Sequence, residues 1–248
     1  DGTKHVYVLL LENPNNPLIE KFKKEPNLTQ RLKSFVQDKV GGRKQEIRYG
    51  LNEYEYTIAF FDEEIQLIHT IFNIINTLKP DFAMAWNIAF DLPYLIERIK
   101  VLGYLPEDII CHKDFEVKEA WYYVDQRADK FEERGDYAQI SSYTIYIDQL
   151  ITFASRRKGQ RQLPGFKLDF IGDIIAGVRK LDYSDITTVI SELPYKNYLV
   201  FAFYNVMDVI VQKCIEHKVG DIDFLYNKAI MNNTRFAKAH RQTTYLAN

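Results

Sequence analysis

The feature that most constrains the fold is the alternation of short apolar runs that suit strands with longer segments of helical periodicity. Residues 5–11 (HVYVLLL) and 54–61 (YEYTIAFF) have the composition of buried strands, rich in β-branched and long apolar side chains. Apolar residues then recur at helical spacing up to Pro80, and residues 82–86 form a third short strand before another helix. This order predicts an α/β domain, with α+β as the alternative, built on a mixed β-sheet flanked by helices.

The segments between these elements predict insertions. Residues 13–43 carry Asn-Pro pairs and many lysines, as expected of a polar insertion at the surface. Residues 121–124 (WYYV) and 143–147 (YTIYI) flank a charged turn region near Gly135 and predict a β-hairpin or another β-rich excursion. A long helix is predicted over residues 194–217.

Composition narrows the classes of function. With 46% hydrophobic residues over 248 positions, the chain can bury a large core. Its formal net charge of -2 argues against coating duplex DNA through a broad basic face, but allows a small pocket for a few nucleotides of single strand. Cys111 and Cys214 lack metal-ligand spacing and predict packing roles in a reducing compartment. No run looks long and apolar enough to cross a bilayer, so no membrane partner is expected.

Two strings that end in aspartate carry the chemistry. In WNIAFD, at residues 86–91, Asp91 is predicted to lie at a strand-to-helix corner, with the helix beginning just after it. In YNVMD, at residues 204–208, a spacing of four places Tyr204 and Asp208 on one helical face. Folds gather carboxylates around divalent metal in this way, so the chain looks like a nuclease. Two metal ions need about three or four acidic ligands, however, and these strings supply only two.

Each string also has a plain structural interpretation. Asp91 can cap its helix, where the helix dipole favours a negative charge. Tyr204 can be a half-buried aromatic residue and Asp208 a solvated helical one. Asn87 offers donors and an acceptor to a sugar or base edge, and Phe90 either packs or wedges beside a nucleotide. The two strings together favour the nuclease hypothesis.

A basic loop is a further candidate for phosphate contacts, although charged loops are more often simply solvated. Its cations are Arg156, Arg157, Lys158 and Arg161. The neighbouring aromatic strands offer faces for base stacking or for cross-strand pairs. None of these residues is assigned a role individually.

The chain resembles the 3′-to-5′ exonuclease (proofreading) domain of family B DNA polymerases, which has a ribonuclease H-like α/β fold with a β-hairpin insertion. The likeness covers most of the chain. Its strings occur in the same order as in that family: FFDEE at 60–64, KPDF at 79–82, DLPYLI at 91–96, ID at 147–148, FKLD at 166–169 and KLDY at 180–183.

The resemblance implies roles for the residues of the two strings. Asp91 matches the aspartate of the family's second exonuclease motif, and Tyr204 and Asp208 match the tyrosine and metal-binding aspartate of the third. All three are then catalytic, Asp91 and Asp208 are metal ligands, and Asn87 and Phe90 contact nucleic acid. The implied reaction is two-metal hydrolysis of the 3′-terminal nucleotide of single-stranded DNA with Mg²⁺ or Mn²⁺. The implied partners are the DNA 3′ end and a polymerase domain of the same polypeptide.

The family's first motif, an Asp-x-Glu on the opening strand, is where the sequence departs from the pattern. Residues 62–64 (DEE) have the letters but lie too close to Asp91 along the chain, and they suit a helix cap better. Glu12 ends a buried strand and gives a degenerate match, with leucine at the position of the bridging aspartate. We favour a third hypothesis, in which residues 5–11 form the second strand and the first motif lies before Asp1.

On this hypothesis residues 1–220 form the exonuclease-like domain and residues 221–248 a helical connection toward a polymerase palm. A chain without the first motif is expected to bind metal with millimolar affinity or weaker and to hydrolyse DNA weakly or not at all alone. The alternatives are a catalytically degenerate domain that binds DNA or acts as a scaffold, and a stand-alone exonuclease acting on RNA or damaged ends. A viral or phage source, and the cytoplasm of a bacterium or phage-infected host, are the accompanying expectations.

Overall fold

The computed structural model describes residues 4–40, 49, 54–159, 163–234 and 236. It divides into two compact units, Asp1–Leu67 with Lys167–Val219 and Ile68–Phe166 with Gly220–Asn248, which we call the first and second units. The described helices and strands are, in chain order, β1 (Lys4–Leu11), α1 (Pro17–Lys23), α2 (Leu28–Lys39), β2 (Tyr54–Phe61), α3 (Glu64–Leu78), β3 (Phe82–Ala85), α4 (Ile88–Val101), α5 (Pro106–Ile110), β4 (Ala120–Tyr123), β5 (Tyr137–Ile140), β6 (Ile145–Asp148), α6 (Gln149–Arg156), α7 (Leu168–Ile171), α8 (Leu193–Lys196), α9 (Tyr198–Val219) and α10 (Asp221–Met231). The chain is therefore a mixed α/β protein, as predicted.

In the part of the first unit that the structure describes, two parallel strands form one sheet. Both were predicted from the sequence, and β1 and β2 pair along their whole lengths. Parallel strands need a crossover between them, and the polar insertion supplies one that contains α1 and α2. One face of each helix is buried, through Phe22 in α1 and Val36 in α2. The prediction of a surface insertion is therefore wrong for these faces, because the lysine-rich composition hid their apolar stripes.

The long helix predicted over residues 194–217 is two helices. Asn197 is extended between α8 and α9, with φ -153° and ψ 94°. Its side-chain oxygen accepts a hydrogen bond from Val200 N at 3.2 Å, as an N-cap residue does. By length and composition alone α9 could cross a bilayer, contrary to the expectation from sequence, yet 50% of its most apolar stretch is buried. Because α9 packs against α1, α2 and the segment after α7, it is a core helix of the first unit.

The described residues of the second unit form four short strands in two pairs. β4 and β5 form an antiparallel hairpin, and β6 pairs in parallel with β3. The predicted partner of residues 121–124 is therefore wrong: residues 143–147 lead into β6 rather than forming the second arm of the hairpin. The chain bends after β5, and Ile145 N donates to Asp81 O at 2.9 Å, which aligns β6 with β3.

The described strands make three two-stranded sheets instead of the single mixed sheet that the sequence predicted. A mixed sheet requires at least one strand with hydrogen-bonded neighbours on both edges. Each described strand pairs along one edge only. Both cysteines, Cys111 and Cys214, are free and buried, in keeping with packing roles.

Candidate functional site

In the first unit, Tyr204 and Asp208 meet at one lysine. α9 places the two residues one turn apart, as their spacing predicted. Lys180 Nζ donates to Asp208 Oδ2 at 2.7 Å and to Tyr204 Oη at 3.1 Å. The structure thus brings three polar side chains together, and we call Lys180, Tyr204 and Asp208 the lysine triad.

The segment after α7 holds Lys180 in place. This segment is one π-helical turn, Gly172–Ala176, which ends at Gly177 in the left-handed conformation with φ 67°. Beyond the turn, Lys180 N donates to Asp169 Oδ1 at 2.8 Å, and Arg179 forms an ion pair with Asp169 Oδ2 at 3.1 Å. Asp169 therefore fixes the backbone from which the lysine side chain reaches α9.

Burial and charge act against each other in the lysine triad. Burial raises the pKa of Asp208, although the hydrogen bond from Lys180 partly offsets the rise. Burial lowers the pKa of Lys180, but the hydrogen bonds to Asp208 and Tyr204 outweigh it, and the pKa is raised overall. Burial also raises the pKa of Tyr204. At neutral pH the lysine is therefore charged and the tyrosine is protonated.

Asp208 has one carboxylate oxygen that fits a cation. Within the described part of the chain, Oδ1 is buried and has no hydrogen-bond partner, whereas Oδ2 is occupied by Lys180. A buried carboxylate oxygen without a partner is costly, and a metal ion is one group that satisfies it. The described residues contain no group of three or more His, Cys, Asp or Glu side chains able to hold a metal. Among the described residues of the first unit, Asp208 thus offers an unpartnered carboxylate oxygen but no complete three-ligand metal group surrounds it.

A cleft opens beside the lysine triad. Its volume is about 600 Å³, which is within the range of small-ligand sites. Tyr204, Lys180 and Arg179 line it, together with residues of the segment 181–188. The Tyr183 ring contacts the Tyr204 ring edge-on, with centroids 5.3 Å apart. The cleft therefore combines aromatic surface with two ion-paired cations and with the carboxylates of Asp169 and Asp182.

In the second unit, the string WNIAFD forms the turn from β3 into α4. Asn87 adopts the left-handed conformation, with φ 67° and ψ 51°, and its side chain makes no capping hydrogen bond. Asparagine tolerates this conformation better than most residues, which explains its place at the bend. The prediction that the helix begins just after Asp91 is wrong, because α4 begins at Ile88 and Asp91 lies in its first turn. Asp91 is therefore not the cap residue.

The start of α4 displays two aromatic residues. Phe90 is 72% exposed and Tyr94, one turn further on, is 59% exposed. Asp91 lies beside them and is itself exposed. Burial by neighbouring atoms raises the pKa of Asp91, but solvent limits the size of this effect. Exposed aromatic rings beside a carboxylate suit the contact with nucleic acid predicted for Phe90, and Tyr94 adds a second ring that its position in the sequence does not indicate.

The described cations of the basic loop contact other residues of the second unit. Arg157 forms an ion pair with Asp221 at 2.8 Å, and the Arg156 guanidinium lies 3.6 Å from the centre of the Phe224 ring. Lys158 is 3.4 Å from Glu133. Arg161 lies outside the described residues. The interpretation of this loop as a phosphate site loses support, because its described cations already have partners.

Two residues of the candidate site were not predicted from the sequence. Lys180 belongs to the string KLDY, but nothing in the sequence indicates that its side chain reaches α9. Asp148 ends β6, and its Oδ1 lies 3.3 Å from Asn87 N. Residues far apart in sequence make both contacts, and only tertiary structure brings them together.

Comparison with known proteins identifies the family to which the chain belongs. A family model described as DNA polymerase family B, exonuclease domain, matches residues 23–158, more than half of the 248-residue chain. The chain therefore belongs to the family B DNA polymerase exonuclease domains. The matched range contains Asp91 but ends before Lys180, Tyr204 and Asp208.

Two baculovirus proteins are relatives of the chain. It is 26% identical over 176 residues to the DNA polymerase of Autographa californica nuclear polyhedrosis virus, and equally so to that of Bombyx mori nuclear polyhedrosis virus. Each match covers 71% of this chain but only 17% of the relative. The chain thus corresponds to a small part of these polymerases.

Proposed function

We propose that this chain is the proofreading part of a DNA polymerase, which hydrolyses the 3′-terminal nucleotide of single-stranded DNA within a ribonuclease H-like fold. The observation that carries the proposal is the lysine triad beside an open cleft, in a chain that belongs to the exonuclease family. The DNA 3′ end is then the substrate, and a polymerase domain of the same polypeptide is the partner.

The metal ligands in this proposal are Asp208 and Asp91. Bound Mg²⁺ or Mn²⁺ would neutralise phosphate charge and polarise the scissile phosphate as a Lewis acid. Asp208 offers its unpartnered Oδ1 for this purpose, and Asp91 offers an exposed carboxylate. Hard carboxylate oxygens are the ligands that these ions prefer.

In this proposal Lys180 binds a phosphate oxygen and Tyr204 orients the attacking water. Lys180 is charged and lines the cleft, so its ammonium group can pair with a phosphate oxygen of the terminal nucleotide in exchange for its hydrogen bond to Asp208. Tyr204 keeps its proton because burial raises its pKa, so it acts as a hydrogen-bonding group that orients the attacking water rather than as a base. Phe90 and Tyr94 stack on bases, and Asn87 contacts a sugar or base edge.

The first exonuclease motif remains a proposed segment before Asp1. Supporting it, β1 pairs with β2 alone among the described strands, so its other edge is open to a further strand. A groove of about 750 Å³ runs along β1 and is also lined by α9. An apolar strand of the same polypeptide, lying in this groove, would bring its carboxylates into the first unit.

A 5′-labelled single-stranded oligonucleotide tests the proposal. With the 248-residue chain and millimolar Mn²⁺ we expect slow shortening from the 3′ end, which Asp208→Ala abolishes. Asp223→Ala, which removes an exposed carboxylate of α10, is the control and should leave the rate unchanged. Shortening that survives Asp208→Ala would overturn the assignment of Asp208.

A catalytically degenerate, DNA-binding domain is the second candidate. It is favoured by the ion pair that already neutralises Asp208, and by the lack of a three-ligand metal group among the described residues. This candidate predicts single-strand binding that Asp91→Ala leaves unchanged and no metal-dependent cleavage at any protein concentration. Cleavage that requires both Mn²⁺ and Asp208 would exclude it.

A further inference from the structure

Asp148 caps two helices with one carboxylate oxygen. It ends β6 and precedes α6, where Oδ1 accepts hydrogen bonds from Leu150 N at 2.9 Å and Ile151 N at 3.2 Å. The same oxygen lies 3.3 Å from Asn87 N, and Ala89 N also donates to the Asp148 carboxylate. Asn87 and Ala89 belong to the turn that starts α4. Donors from two separate helix starts therefore converge on Asp148.

The start of α4 needs this acceptor. The first N–H groups of any helix lack intrahelical partners, and a side chain at the cap position normally satisfies one of them. Asn87 occupies that position but makes no such bond, because its backbone is left-handed. The carboxylate of Asp148, at the end of β6, supplies the acceptor instead. Its negative charge also suits the positive ends of both helix dipoles.

We infer that Asp148 is a positioning residue: it fixes the turn that presents Asn87, Phe90 and Asp91 to the DNA 3′ end. This inference rests on the proposed exonuclease function. Asp148 touches neither DNA nor metal in this arrangement and acts only through the backbone of the turn. An exonuclease site tolerates little displacement of its ligands, so the loss of such a contact is costly for the reaction.

The surroundings of Asp148 give it a distinct chemical signature. Asp148 is 7% exposed, and its second oxygen, Oδ2, is buried without a hydrogen-bond partner among the described residues. Asp148, Tyr122, Tyr146 and Asp136 line a cavity of about 30 Å³, and Asp136 forms a 2.8 Å ion pair with Arg134. Burial raises the pKa of Asp148 to about 6, with the four backbone donors opposing the rise.

This signature can be measured without any activity. In the unaltered chain, the amide proton shifts of Asn87 and Ala89 should titrate together with those of Leu150 and Ile151, with a midpoint near pH 6. Asp148→Asn should abolish the shared titration while the spectrum stays folded. Amides of Asn87 and Ala89 that fail to move with those of α6 would overturn the inference.

Three variants separate positioning from folding. In Asp148→Ser the side chain can still cap α6 but is too short to reach Asn87. In Asp148→Asn an acceptor remains at the Oδ1 position. In Asp148→Ala neither the cap of α6 nor the contact with Asn87 remains. Asn16→Ala is the control, because Asn16 caps α1 by accepting from Leu18 N at 3.1 Å and is not part of the candidate site.

Single-turnover cleavage of labelled single-stranded DNA gives the second readout. We expect Asp148→Ser and Asp148→Ala to slow cleavage by about 100-fold, Asp148→Asn to recover most of the rate, and Asn16→Ala to keep it. Equal rates in Asp148→Ser and the unaltered chain would overturn the inference. If the unaltered chain cleaves nothing, the proposed function fails, and the shared amide titration alone then decides whether Asp148 holds the turn.

Discussion

Lys180 donates hydrogen bonds to both Tyr204 and Asp208, so its removal should affect both residues. In Lys180→Met, Asp208 keeps its burial but loses its charged partner, so its pKa should rise further. Loss of a half-buried charged hydrogen bond should lower the free energy of unfolding by about 1–2 kcal/mol at neutral pH. Carboxyl carbon NMR follows the pKa, and chemical denaturation follows the stability.

Lys218→Met is the matched control for this prediction. Lys218 is an exposed lysine near the end of the same helix, α9, so its loss changes the net charge equally. The Asp208 pKa should not move in this variant. A Lys180→Met chain with unchanged Asp208 titration would show that the contact between the two side chains does not persist in solution.

At the residue scale, sequence predicted what local geometry determines. Tyr204 and Asp208 follow from helical spacing, because four residues make about one turn wherever the helix lies. The left-handed Asn87 and the contact of Lys180 with Asp208 do not follow from spacing. The first depends on an acceptor from β6, and the second joins positions 28 apart in the chain.

Gly172 allows the π-helical turn to lie against α9, and this element should not tolerate a side chain there. A Cβ atom at Gly172 would lie 2.5 Å from Val178 O and 2.5 Å from Val211 Cγ1. The backbone oxygen has little room to move, so Gly172→Ala should lower the free energy of unfolding by about 1–3 kcal/mol. Because the turn precedes Lys180, the lysine triad should loosen as well.

Gly165→Ala is the control for the prediction about Gly172. Nothing lies within 4 Å of a Cβ atom at Gly165, and its backbone is not left-handed. Alanine there should be neutral or slightly stabilising, by restricting the unfolded chain. Thermal and denaturant unfolding of the two variants compare them directly; equal stability in both would contradict the close packing of Gly172 against α9.

At the element scale, periodicity predicted which segments form strands but not how they pair. The two long apolar runs became β1 and β2, since their composition alone favours a pleated, buried surface. Residues 143–147 were assigned to the wrong partner because a short run of alternating aromatic residues suits either neighbour. The bend after β5, which the sequence signals only weakly, turns β6 to β3.

At the scale of the whole molecule, order along the chain was more informative than any single motif. The strings that resemble the exonuclease family span most of the sequence, and the family match covers residues 23–158. Composition predicted a large core but not the division into two units, because that division depends on contacts between segments remote in sequence. The alternation of strands and helices indicates the class of fold without indicating where one compact unit ends.

Stability of the whole molecule should fall as pH rises from about 4 to about 7.5. Burial raises the pKa of Asp148 from 3.8 to about 6, so the folded state binds this proton more tightly than the unfolded state. The stabilisation is complete below the unfolded value and is lost as pH rises through about 6, for a total of up to about 3 kcal/mol. The raised pKa values of Asp208 and Asp91 act in the same direction.

Chemical denaturation across this pH range separates the contribution of Asp148 from the others. Asp148→Asn cannot ionise, so its unfolding free energy should depend less on pH and should exceed that of the unaltered chain at pH 7.5. Asp182→Asn is the control, because the hydrogen bonds from Ser184 lower the pKa of Asp182 and its effect on stability therefore has the opposite sign. Removing this carboxylate should not flatten the dependence of the unfolding free energy on pH. If Asp148→Asn keeps the slope of the unaltered chain, the buried carboxylate is not the group that titrates. If the slope flattens while Asp148→Asn keeps most of the cleavage rate, the charge of Asp148 weakens the fold at neutral pH, whereas its Oδ1 acceptor is what holds the turn.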